Sequence, residues 1–145
     1  MAATLIAIAD AVVSTLNAAT FGQPLTAVRS YQPEYGPADT GTLKVSVVPE
    51  AVDAERKTRA TFEEDHRVSV LFQHRTDMTD AELDALMELV EEVADHLKET
   101  PLTGVSGAAA VQCVAVSNAP AFAQDRLAEL REFCSLLVAT YKTWR

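Results

Sequence analysis

Between Arg59 and Gln73 the chain alternates between two kinds of residue. One set reads Ala60, Phe62, Glu64, His66, Val68, Val70, Phe72, and the other Arg59, Thr61, Glu63, Asp65, Arg67, Ser69, Leu71, Gln73. Mostly apolar residues alternate with mostly polar ones, which is the period of a strand with one wet face. Such a strand would span roughly 50 Å at about 3.3 Å per residue, whereas strands usually run about 5–6 residues. A chain of 145 residues cannot cover that length on its own. The Arg59 end, where both faces turn charged, is expected to project from the core and meet another subunit. This feature points to assembly rather than catalysis.

The length suits one domain over residues 1–145. Hydrophobic residues make up 48% of the chain, enough for a real core, and disorder is not expected. A formal net charge of -9 disfavours direct affinity for nucleic acid or an anionic membrane, both polyanions. It leaves open a protein that DNA passes without adhering. No apolar run reaches the ~18–20 residues of a membrane span. The apolar N-terminus is interrupted by Asp10 and has no preceding Lys or Arg, which is poor signal-peptide chemistry. A cytoplasmic chain is expected. Cys113 and Cys134 fit no C-x-x-C pattern and read as small core residues rather than redox or metal groups.

Helical spacing of Leu5, Ile8, Val12 and Leu16 predicts a helix from Thr4 to Ala18, stopped by Gly22 and Pro24. A strand is expected over Leu25–Tyr31, followed by a turn-rich loop at residues 32–39. Leu43, Val45 and Val47 alternate with Lys44 and Ser46 in a second strand, which Pro49 should end. Glu50 to Thr58 then reads as a charged connection into the long strand, the two strands forming an antiparallel hairpin. Thr79-Asp80-Ala81-Glu82 is a capping box that opens a helix with Leu83, Leu86, Val90, Val93 and Leu97 inward. A strand over Ala110–Ser117, a short helix over Gln124–Arg131 and a last strand over Phe133–Trp144 complete the expected order. The fold class is α+β: a mostly antiparallel sheet with two main helices packed on one face, plus a short third helix.

Glu63, Glu64, Asp65 and His66 are the densest group of potential ligands. Neighbours on a strand point to opposite faces, so Glu64 with His66 and Glu63 with Asp65 give two ligands per face, where most metal sites need three or four. A solvated or intersubunit charge pattern accounts for them better. No G-x-S-x-G, Walker loop or G-x-G-x-x-G is present, so no cofactor is expected. Asp84, Glu88 and Glu92 stand at spacing four on the second helix, repelling mildly; its acidic side reads as a solvated outer face or a dock for a basic partner. Tyr31, Tyr35, Tyr141 and Trp144 are the candidates for exposed aromatics, a type favoured at interfaces. Taken together, the subunit-interface candidates are Asp53, Glu55, Arg56, Lys57, Arg59, Glu63, Asp65, Arg67, Tyr141 and Trp144.

Several segments, in this order, resemble a known family. They are Leu5-Ile6-Ala7-Ile8-Ala9-Asp10-Ala11-Val12-Val13, Ala27-Val28-Arg29-Ser30-Tyr31 before a Pro-containing loop, and Leu43-Lys44-Val45-Ser46-Val47-Val48-Pro49. The helix Leu86-Met87-Glu88-Leu89-Val90-Glu91-Glu92-Val93-Ala94-Asp95 and the final Leu130-Arg131-Glu132-Phe133 follow. The sequence resembles the tail terminator (tail completion) proteins of long-tailed bacteriophages over nearly its whole length. The matches are patterns of size and polarity, not catalytic signatures. The resemblance implies a non-enzymatic virion protein of the tail and neck, assembled in the host bacterial cytoplasm. It implies a ring, usually of six subunits, that ends the tail tube and joins it to the head-tail connector protein. Its partners would be further copies of itself, the tail tube protein and the connector, with DNA passing through the channel without specific binding. Sheet and loops would approach the channel, with helices outside. Two competing expectations are a small cytoplasmic enzyme using His66 with Glu64, and another connector or tail-tube subunit.

Overall fold

A computed structural model of the chain describes residues 4–22, 25–31, 43–75, 79–102, 111–118 and 132–144. Helix α1 spans Thr4–Ala18 and is followed by a short strand β1, Ala27–Arg29. Strands β2 (Lys44–Arg56) and β3 (Phe62–Arg75) come next, then helix α2 (Asp80–Glu99), β4 (Gln112–Asn118) and β5 (Glu132–Trp144). The five strands form one sheet in the order β1-β2-β3-β5-β4. β1 runs parallel to β2, and the other three pairings are antiparallel.

The register explains the core. Val47 stands opposite Val70, which stands opposite Leu137; Val45, Phe72 and Ser135 make the next row. Cross-strand partners share a face, and this face is the one the helices cover. α1 lays Ile8, Ala9, Val12 and Leu16 on it, and α2 adds Leu86, Leu89, Val90, Val93 and Leu97. α1 packs on the β1–β2–β3 side and α2 on the β4–β5 side. The opposite face is mixed, with half-buried Val48, Leu71, Leu136 and Val138 beside small buried Ser46 and Ser69.

Local chemistry fixes the helix ends. The Thr79 hydroxyl accepts a hydrogen bond from the Glu82 backbone N–H at 3.3 Å, capping α2 as its sequence predicts. Asn17, near the end of α1, holds β1 by both amide atoms: Ala27 N–H donates to Oδ1 at 2.8 Å, and Nδ2 donates to Ala27 O at 3.1 Å. Gly22 N–H donates to Glu92 Oε2 at 2.9 Å, tying the end of the α1 segment to α2.

The expected fold class needs correction. Among the described residues there are two helices, not three, and the segment assigned to the short third helix, Gln124–Arg131, lies outside them. Strand outweighs helix, and the sheet is mixed because β1 pairs parallel with β2. A parallel pairing needs a long connection, and 14 residues separate Arg29 from Lys44 in the sequence; a strand three residues long leaves almost no periodicity by which its direction could be read.

Pro49 does not end β2, and Glu50–Thr58 is not a connection. β2 runs on to Arg56. Proline lacks an N–H, which excludes it from central strands but not from an edge or a bulge. Pro49 has both settings: β1 covers β2 only at Val45–Val47, and the register shifts between Pro49 and Ala51. The bulge leaves Glu50 without a register partner on β3, while its carboxylate accepts a hydrogen bond from Ser69 Oγ of that strand.

Candidate assembly site

The hydrophobic core stops short of the strand ends. Its last members toward the hairpin are Val47 on β2, Val68 on β3 and Tyr141 on β5. Beyond them the three strands continue as an arm, with β2 and β3 paired as far as Arg56 and Phe62, and β5 following to Trp144 opposite Glu63. The turn at the tip is closed by Lys57 N–H and Thr58 N–H, which both donate to Thr61 O at 3.0 and 3.2 Å. Residues 52 to 60 are all exposed. The long alternating strand therefore does project, from Phe62 rather than Arg59, and with β2 beside it along its length.

Alternation gives the arm two unlike faces. One carries Asp53, Glu55, Lys57, Glu63, Asp65, Arg67 and Lys142, and these groups pair with one another. Arg67 meets Asp53 at 2.9 Å; Lys57 bridges Glu55 at 3.4 Å and Glu63 at 3.1 Å. Lys142 binds Glu63 and stands 3.8 Å from Asp65. The Lys142 and Lys57 ammonium groups hold the Glu63 carboxyl below its ordinary range. Glu63 raises both lysines in return, helped at Lys57 by Glu55 and at Lys142 by Asp65. The network lies at the surface, with Lys57 the most exposed of the three groups and Glu63 the least, so water and salt screen it.

The other face holds Val52, 43% exposed, with Ala54 and Phe62, 37% exposed. The Arg56 guanidinium lies 4.4 Å from the Phe62 ring centroid, and its Nη1 donates to Arg59 O at 2.7 Å. Toward the base this face closes over His66, which is 1% exposed and whose Nε2 lies 3.1 Å from Thr143 Oγ1. Glu64 lies two residues away on the same face, opposite Thr143. His66 and Glu64 thus share one face of β3, with the imidazole sealed inside the arm base.

Of the predicted interface residues, nine lie on the arm: Asp53, Glu55, Arg56, Lys57, Arg59, Glu63, Asp65, Arg67 and Trp144. Six of them, Asp53, Glu55, Lys57, Glu63, Asp65 and Arg67, already stand within ion-pair distance of opposite charges in their own chain. Tyr141 is corrected outright: it is fully buried in the core, and burial pushes its hydroxyl well above the ordinary tyrosine range. Its register explains this, since Tyr141 lies on the same face as Leu137 and Ala139. The Trp144 side chain, Tyr35 and the 32–39 loop lie outside the described residues. Tyr31 is 66% exposed, its ring centroid 5.7 Å from the Arg29 guanidinium, which also pairs with Asp10 at 2.9 Å.

Among the described residues no three His, Cys, Asp or Glu side chains are grouped to hold a metal ion, and no helix is long and apolar enough to cross a membrane. On α2, Asp84, Glu88, Glu91, Asp95 and Glu99 face solvent, whereas Glu92 is also engaged with Gly22. Neither the family models nor the curated proteins compared with this chain contain a match.

Proposed function

We propose that this chain is the subunit of a structural ring, of the tail-terminator kind, that ends a phage tail tube and joins it to the head-tail connector. One observation carries the reading: three strands leave the helix-covered core and continue as an arm with one ionic and one partly apolar face. Holding that much exposed backbone in strand form costs conformational entropy with little burial in return. A second protein surface that covers Val52, Ala54 and Phe62 would supply the missing burial.

The charge balance supports the same reading. A ring of subunits with net charge -9 each surrounds any central opening with negative charge, which suits DNA that must slide through. Sedimentation of the purified protein, with electron micrographs of the product, tests the proposal. Closed rings that cap a tube once and stop are expected. Unlimited self-stacking would make the chain a tube subunit instead, and a monomer at every concentration, alone or with tube protein, would remove the ring. Tight binding of duplex DNA at physiological salt would contradict the conduit.

A further inference from the structure

Among the described residues the sheet has two edges paired on one side only, and they share most of their rows. β1 covers β2 only as far as Val47, so from Val48 onward β2 is paired on one side alone among the described residues. Among the described residues β4 itself is paired only with β5, and Leu102 bonds to Val111 just ahead of it. Following the register across the sheet, Val48 leads through Ser69 and Val138 to Ser117 on β4. Val52 leads through His66 and Tyr141 to Cys113, and Asp53 leads through Asp65 and Lys142 to Gln112. Val48–Asp53 of β2 and Gln112–Ser117 of β4 are thus level with each other on opposite sides, while Asn118 falls on the row of Val47, which β1 covers.

We infer that copies of this chain continue one another's sheet, the open half of β2 in one copy pairing antiparallel with β4 of the next. This rests on the ring reading above and names its contact. Strand direction supports it: three successive antiparallel pairings separate β2 from β4, so they run in opposite senses. When one sheet is extended by a rotated copy, β2 therefore meets β4 in the antiparallel sense. Equal height matters too. A head-to-tail contact closes into a ring only without a shift along the axis, and otherwise winds into a filament. Row-for-row alignment gives no shift.

The side chains agree. Exposed edges are usually guarded by charge or proline. β4, Gln112-Cys113-Val114-Ala115-Val116-Ser117-Asn118, has neither. Val114 is 52% exposed, and it sits in the β4 bulge between Cys113 and Ala115, beside the row of Val52. The two valines would meet across the joint. β2 carries Pro49 and the acidic Asp53 and Glu55, which disfavour two β2 edges coming together; against the uncharged β4 they meet no like charge.

Cysteine cross-linking tests this in a Cys113→Ala, Cys134→Ala background. Val52→Cys and Val114→Cys are made separately and together, each checked by circular dichroism and thermal melting, and oxidised under assembly conditions. The mixture of the two single variants should give cross-linked dimers that neither gives alone, and the double variant a ladder ending at the ring number. Val114→Lys should weaken association by about tenfold or more, with an unchanged monomer melt. Cross-links within one single variant alone would mean a two-fold contact and overturn the inference. Rings that sediment normally with no Val52–Val114 cross-link would also overturn it, leaving the ring reading intact. A protein monomeric throughout would remove both.

Discussion

The same three strands behave as two materials along their length. At the base, the row Val47, Val70, Leu137 is fully buried under α1 and α2. Toward the tip, the row Asp53, Asp65, Lys142 is held by screened ion pairs at the surface. Backbone pairing is continuous between them. The base is stabilised by apolar burial, worth about 1.5–3 kcal/mol for a large aliphatic side chain. Exposed ion pairs are worth about 0–1 kcal/mol each. The base is thus held by its apolar core, and the arm by much weaker surface contacts.

Mutations should separate the two regions. Leu137→Ala leaves a cavity at the centre of the base and should cost about 2–5 kcal/mol of unfolding free energy; in Phe62→Ala, on the arm, the loss should stay under about 1 kcal/mol, since the ring is already partly exposed. Equal losses in denaturant titrations would erase the distinction. Asn17→Ala strands both polar groups of Ala27 and should cost about 1–3 kcal/mol, with β1 the first element to lose protection from amide exchange. A cost near zero would mean that β1 is held otherwise.

The arm's ion pairs should answer to pH rather than to core mutations. Because the folded chain depresses the Glu63 pKa, its contribution is fully present above the ordinary value of 4.5 and is lost as pH falls through the lower folded value. Lys57 and Lys142 are raised above 10.5, so their contribution is present below that value and lost as pH rises through the folded ones. Carboxyl chemical shifts in an NMR titration should place the Glu63 midpoint below 4.5, and Lys142→Met should return it toward normal. A midpoint at or above the ordinary value would mean that the network is not formed in solution.

The smallest effect should come from Tyr141→Phe. The Tyr141 hydroxyl is buried with no hydrogen-bond partner among the described residues, so removing it should change stability by less than about 1 kcal/mol and can raise it. A clear loss in the thermal midpoint would reveal an unseen partner. Tyr141→Ala should behave as a core deletion, costing about 3–5 kcal/mol.

Much of this comparison is legible in the sequence. The apolar period places α1 at Thr4–Ala18, and the capping box places α2 from Asp80, because helix signals are local. The alternation around Phe62–Gln73 announces both the strand and its uncovered end. The signals that mislead are those whose meaning depends on position in the sheet. Pro49 ends a central strand but is tolerated on an open edge, so β2 extends beyond the point where proline suggests it should stop. Charges at Asp53 and Arg67 read as separate groups in the sequence, whereas the paired strands bring them within 2.9 Å of each other. Tyr141 looks like an interface aromatic by type, whereas the alternation of Phe133, Leu137, Ala139 and Tyr141 is the signal that places it inward. No sequence period carries the parallel direction of β1, which joins residues 18 apart, or the Asn17 clamp, which joins residues ten apart.

Amide hydrogen exchange along β3, in free and assembled protein, tests the central contrast most directly. In the free chain, Val68–Phe72 should exchange only by global unfolding, and Glu63–Asp65 much faster by local opening of the arm. Assembly should slow exchange in the arm and in the open half of β2 while leaving the base unchanged. Uniform protection along β3 in the free protein, or an arm unaffected by assembly, would contradict the account.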